Sequence, residues 1–213
     1  MDLLHLRSDM VETQLKARGI VDKRVLDAFL KVPRHLFVPA NLQESAYDDC
    51  ALPIGQEQTI SQPYMVAIMT ELLALTGKEK VLEVGTGSGY QAAILGELAK
   101  KVVTMERVAA LGEAAQKLLA GMGYSNIEVR IGDGTEGYAP EAPYDGIIVT
   151  AATPDIPPPL FEQLKEGGRL VLPVGERYLQ TLTIVRKRGG KPDIAQSIGC
   201  VFVPLLGKYG FTS

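Results

Sequence analysis

The run Val81-Leu82-Glu83-Val84-Gly85-Thr86-Gly87-Ser88-Gly89-Tyr90 constrains this chain more than any other stretch. An apolar segment closes on three alternating glycines, and a helix-compatible segment follows. That order predicts a strand, a tight turn and the start of a helix. The next apolar run, beginning at Lys101, ends on an acid, Glu106. A strand, a glycine-rich turn, a helix and an acid-tipped second strand point to an open α/β sheet. Ligands of such sheets lie beyond the carboxyl ends of the strands.

The glycine spacing narrows the ligand. A dinucleotide fingerprint reads G-x-G-x-x-G, its third glycine letting the helix pack close to a pyrophosphate. Here the pattern is G-x-G-x-G, and Tyr90 stands where that third glycine would be. This favours an adenosyl cofactor without a pyrophosphate, S-adenosyl-L-methionine, and disfavours a nicotinamide dehydrogenase. Gly85, Thr86, Gly87, Ser88 and Gly89 are the expected cofactor loop, its glycines clearing side chains from a close backbone approach. Glu83 is a candidate for the amino end of methionine, directly or through water. Glu106, with Arg107 beside it, is the candidate for the ribose hydroxyls. Gly132-Asp133-Gly134, after the third predicted strand, offers a carboxylate to the adenine amino group. Each acid alone has a plainer reading, as a solvated strand end or a turn residue; their succession at three strand ends carries the assignment.

The remaining pattern fits one α/β domain over residues 1–213. It divides into an N-terminal helical and substrate-side part (1–60), a cofactor-binding core (61–175) and C-terminal strands (176–213). Helical spacing covers residues 2–31, broken at Gly19 and restarted on Asp22 as a cap, with Pro33 ending the second helix. Residues 32–55 read as an irregular connection, and a Met/Leu-striped helix follows Pro63. Strands are expected at 80–84, 101–106, 127–131, 144–150 and 168–174, and helices at 89–99, 107–121 and 157–165. An antiparallel hairpin, Thr181–Val185 with Ile198–Val203, closes the chain.

Composition excludes more than it assigns. Two histidines and two cysteines, Cys50 and Cys200, leave no multi-histidine or thiolate metal site, so no metal is expected. A net charge of −3 gives no electrostatic case for nucleic acid, and the one basic cluster, Arg186-Lys187-Arg188, reads as a strand end running into a turn. No apolar run approaches the roughly 20 residues of a membrane span, and the N-terminus lacks a signal-peptide pattern. A cytoplasmic monomer without membrane or nucleic-acid partners is the expectation.

The acceptor is addressed by the segment Ala51-Leu52-Pro53-Ile54-Gly55-Gln56-Glu57-Gln58-Thr59-Ile60-Ser61-Gln62-Pro63-Tyr64-Met65. Here the chain resembles the protein-L-isoaspartate O-methyltransferases. Val32-Pro33-Arg34, Ala142-Pro143-Tyr144-Asp145, Ile148-Val149-Thr150-Ala151-Ala152, Gly167–Gly175 and Val203-Pro204-Leu205 also match that family's motifs. The resemblance implies a class I methyltransferase fold, a Rossmann-like open sheet, mostly parallel, with an N-terminal helical extension. It implies methyl transfer to the free α-carboxylate of L-isoaspartyl residues, initiating repair through a succinimide and yielding S-adenosyl-L-homocysteine, and leaves open whether D-aspartyl residues are also acceptors. It marks Ser61 as the residue nearest the acceptor, with Thr59, Ile60, Gln62, Val203 and Leu205 as further substrate contacts. Ser61 also has a structural reading as the N-cap of the helix after Pro63. Two positions depart from the family pattern. Glu57 stands where a small residue or glycine is usual, and Tyr64 replaces the histidine of many members. The alternative is a class I methyltransferase acting on RNA or a small molecule.

Overall fold

The computed structural model describes residues 2–212. Its N-terminal layer begins with α1 (Leu3–Asp9), capped by the Asp2 carboxylate, which accepts from the amides of Leu4 and His5. The helix runs on through a π turn (Met10–Leu15) and a 3-10 turn (Lys16–Arg18), and Gly19 stops it at φ 93°. α2 (Lys23–Lys31) starts on Asp22, whose carboxylate accepts from the Arg24 amide. The stop at Gly19 and the cap at Asp22 agree with the sequence pattern.

The connection after Pro33 is more ordered than expected. Two 3-10 turns, Arg34–Phe37 and Ala40–Ser45, lead into a hairpin of β1 (Leu52–Gly55) and β2 (Gln58–Ile60). Its two-residue turn has Gln56 at φ 53° and Glu57 at φ 57°. Tight hairpins favour this left-handed pair because its twist matches the strands, yet they normally fill it with Asn and Gly. The absence of that signature, with Pro53 inside the strand, hid the hairpin. α3 (Pro63–Leu73) follows.

The main sheet has the order β5-β4-β3-β6-β7-β8-β9. β3 (Lys80–Val84), β4 (Lys101–Glu106), β5 (Ile127–Ile131) and β6 (Tyr144–Val149) are parallel neighbours, and β6 pairs in parallel with β7 (Leu164–Glu176). The chain builds outward from β3 to β5 and returns to β6, so a crevice opens at the carboxyl ends of β3 and β6. α4 (Tyr90–Leu98), α5 (Ala109–Gly121) and α6 (Pro158–Gln163) complete the layers. Alternate residues feed two cores. Val81, Val102 and Ile148 face the layer of α2, α3 and α4, while Leu82, Val84 and Ile147 face α6. Strands buried on both faces read as continuous apolar runs, which is why these strands are legible.

The C-terminal hairpin departs from the expected bounds. β8 spans Leu179–Arg188 and β9 spans Lys191–Cys200, both antiparallel. The second strand thus begins well before the apolar run at Ile198, and residues 201–203 have left the sheet. β9 is the edge strand and is almost wholly exposed, so no buried face marks it in the sequence. The basic cluster is structural at its centre: Lys187 Nζ donates to the carbonyls of Phe161, Glu162 and Leu164, closing the end of α6.

Candidate active site

Three hollows meet at the carboxyl ends of β3, β4 and β6. The first is walled by Gly85, Gly87, Glu106, Arg107, Gly134 and Leu205, with Val84 and Met105 supplying apolar surface. The second is bordered by Ile60, Ser61, Thr86, Ser88, Gln91 and Thr150. The third is an open groove reached by Ser61, Gln62 and Val203. Thr59 borders all three, and Ser61 lies on the wall between the second and the groove.

The glycine loop is held from both sides. The amides of Gly85 and Thr86 donate to the Met105 carbonyl at 2.9 and 3.2 Å. Gly85 has φ 99°, and a Cβ there would lie 2.4 Å from Thr150 Oγ1. That hydroxyl in turn donates to the Gly85 carbonyl at 2.6 Å. Gly89, at φ 87°, precedes α4, and a Cβ on it would press Ala115 and Leu119 of α5 at 3.3 Å. It therefore performs the close-packing role that a dinucleotide fold gives its third glycine, and Tyr90 is free to turn into the core. Tyr90 is 1% exposed and packs edge-on against Phe29 and Phe37.

Glu106 closes the first hollow. One carboxylate oxygen accepts from the Gly87 amide at 2.8 Å and the other from the Val108 amide at 2.9 Å. Each oxygen keeps a further lone pair for a ligand hydroxyl. Gly112 packs beneath Glu106 and Ile131: a Cβ there would clash with the Ile131 side chain and press Glu106 Cβ at 3.2 Å; sequence reasoning passed over it because a glycine within a helix carries no ligand signal.

Asp133 is engaged differently from the sequence expectation. Its Oδ1 accepts from the amide and hydroxyl of Thr135, and Oδ2 accepts from the Lys208 amide at 2.8 Å. Burial alone would raise its pKa, but these donors, with the Arg107 charge, hold it below the usual carboxylate value. Asp133 thus anchors residues 207–208 behind the first hollow, and of the Gly132-Asp133-Gly134 trio only Gly134 lies on the wall.

Glu83 also lies behind the walls. It is fully buried in β3, and neither carboxylate oxygen has a hydrogen-bond partner. Burial raises its pKa to about 8; the Thr104 hydroxyl opposes this and the Glu106 charge adds to it. Thr104 Oγ1 is itself hydrogen-bonded to Thr86 Oγ1 at 2.6 Å.

Ser61 does not cap α3. The cap position is Gln62, which makes no capping bond and instead donates to the Asp49 side chain at 2.8 Å. The Ser61 carbonyl accepts from Arg34 Nη2 at 2.8 Å. Val203 and Leu205 are fixed by Ala152, whose amide donates to the Val203 carbonyl and whose carbonyl accepts from the Leu205 amide, both at 2.8 Å. Among the residues that border the site without an assigned role in the sequence are Thr150 and Gln91. Thr150 stood in a quoted family motif, at the polar end of an apolar strand.

The walls fit an adenosyl cofactor: backbone-only surface at Gly85 and Gly87, a carboxylate at the β4 end and apolar flanks. Among the described residues no cluster of three or more His, Cys, Asp or Glu could hold a metal. A family model described as protein-L-isoaspartate(D-aspartate) O-methyltransferase matches residues 6–210. The chain belongs to this family. A protein-L-isoaspartate O-methyltransferase from Methanoculleus marisnigri is 57% identical over 96% of this chain and 93% of its own. One from Geotalea uraniireducens is also 57% identical, over 97% and 95%. A solved protein-L-isoaspartate O-methyltransferase superposes with a TM-score of 0.85 at 30% identity, covering 96% of this chain and 67% of that one. A Plasmodium falciparum structure described as the same enzyme, in complex with S-adenosyl-L-homocysteine, gives 0.81 at 25% identity, covering 93% and 97%. The fold is therefore that of a class I methyltransferase.

Proposed function

We propose that this chain methylates the free α-carboxylate of L-isoaspartyl residues in damaged proteins and peptides, acting as a cytoplasmic monomer. One observation carries the residue roles: Ser61 stands on the wall shared by the hollow of the glycine loop and the neighbouring groove. A peptide in the groove then presents its carboxylate to a methyl donor held on the other side.

When bound, S-adenosyl-L-methionine supplies a methyl group on a sulfonium, activated toward displacement. The acceptor carboxylate is ionised at neutral pH and needs no base. Its oxygen forms the new C–O bond as the S–CH3 bond breaks, and that electron pair stays on sulfur. Ser61 orients the carboxylate by donating its hydroxyl, while Thr59, Ile60, Gln62, Val203 and Leu205 shape the approach. Gly85–Gly89, Glu106, Arg107 and Gly134 hold the donor, with Glu83 and the Gly132–Asp133 turn supporting them from behind. Alignment of this kind supplies roughly 7–11 kcal/mol of barrier reduction. The adjacent backbone amide nitrogen of the substrate then attacks the methyl ester and expels methanol, closing a succinimide without further help from the protein.

The test is methyl transfer from labelled S-adenosyl-L-methionine to two peptides that differ only in carrying L-isoaspartate or L-aspartate. Base-labile label on the isoaspartyl peptide alone is expected. Label on neither, with the cofactor bound, contradicts the acceptor assignment.

A further inference from the structure

Arg34 is a fully buried arginine with no carboxylate partner among the described residues. Its Nε donates to the Ala46 carbonyl at 2.7 Å and its Nη2 to the Ser61 carbonyl at 2.8 Å. The guanidinium lies 4.9 Å from the centre of the Tyr90 ring, and its Nη1 has no hydrogen-bond partner. Burial pulls the guanidinium's pKa down, yet an arginine stays protonated in proteins. Buried ions are ordinarily paired, because an isolated one is costly to desolvate. Here two carbonyls and an aromatic face share the cost, and the positive charge itself is left uncompensated.

The guanidinium is hydrogen-bonded to the main chain of Ser61, the residue that the reading above sets against the acceptor, and that acceptor is an anion. We propose that Arg34 is a positioning residue with an electrostatic role. It fixes the main chain at Ser61, and it attracts the substrate carboxylate that completes its charge balance. This rests on the carboxyl-methylation reading above. The role differs from a plain loop support in one respect: it discriminates a charged acceptor from a neutral one of the same shape.

The experiment compares two peptides, one carrying L-isoaspartate and one carrying the corresponding α-carboxamide, which cannot be methylated. Binding of both is measured by competition with wild type and Arg34→Gln, at saturating cofactor. Coulomb attraction between unit charges about 6–10 Å apart, at an effective dielectric near 20, amounts to roughly 20- to 100-fold before screening. After screening, Arg34→Gln is expected to weaken carboxylate binding about tenfold, while carboxamide and cofactor affinities stay within about twofold. Equal loss for both peptides, or loss for neither, overturns the proposal. If Arg34→Gln does not fold, Arg34→Lys decides. Lysine keeps the charge but not the forked pair of bonds, so kcat should fall while the preference for carboxylate over carboxamide persists. Loss of that preference in Arg34→Lys also overturns it. The parent reading fails separately, if wild type leaves the isoaspartyl peptide unmethylated.

Discussion

Replacing Glu83 by Gln should change how stability depends on pH. In the folded chain burial raises the Glu83 pKa to about 8, against an ordinary value of 4.5. Between those values the folded state holds a proton that the unfolded state releases. Stability therefore falls as pH rises through this window, by up to about 1.36 kcal/mol per pH unit. Across the gap from 4.5 to about 8 the full effect is about 5 kcal/mol, an upper bound that water entry and relaxation reduce. Glu83→Gln is neutral throughout and should remove this slope. Urea unfolding of the cofactor-free protein at pH 5, 6, 7 and 8 reads it directly. The variant should gain at least about 2 kcal/mol relative to wild type between pH 5 and pH 8. A difference that does not change with pH would mean that Glu83 ionises without cost, refuting the reasoning from burial. If the ammonium group of the cofactor meets Glu83, binding at pH 7 should also release a proton, visible by calorimetry in buffers of different ionisation enthalpy.

Ser61→Ala should lower kcat roughly 10- to 100-fold through misaligned acceptor geometry, with unfolding free energy within about 0.5 kcal/mol of wild type; a large stability loss with normal turnover would contradict its placement outside the helix cap. Glu106→Ala should weaken cofactor binding by roughly 10- to 100-fold, the scale of losing charge-assisted hydrogen bonds. It should also destabilise the loop, because the Gly87 and Val108 amides lose their acceptor; unchanged affinity by calorimetry would exclude the ribose role. Glu57→Gly should stabilise the protein by about 0.5–1 kcal/mol, the left-handed strain less glycine's entropy cost. Thermal unfolding measures this, and a lower melting temperature in that variant would show that the Glu57 side chain makes a compensating contact.

The sheet and the glycine loop were legible because parallel central strands are buried on both faces, and because a close backbone approach demands glycine. Val81–Val84, Val102–Met105 and Ile147–Val149 announce themselves as apolar runs. β9 did not, since Pro192, Asp193, Gln196 and Ser197 lie on an exposed edge where pairing requires no apolar pattern. The β1–β2 hairpin was hidden by its Gln56-Glu57 turn. In the site, sequence order located the acids but not their partners. Whether Asp133 faces a ligand or an amide depends on where residue 208 lies, a contact between positions 75 apart. The distinction between capping and lining at Ser61 turned on a single residue of helix register. Arg34 stood in a quoted motif, yet nothing local reveals that its charge is buried.

The pairing of Ala152 with Val203 and Leu205, and the hold of Asp133 on Lys208, separate the integrity of the site from that of the sheet. The last strand ends at Cys200, whereas Leu205, a wall of the first hollow, lies beyond it. A chain cut just after β9 would keep all seven strands of the main sheet and lose that wall, so stability and activity should part company there.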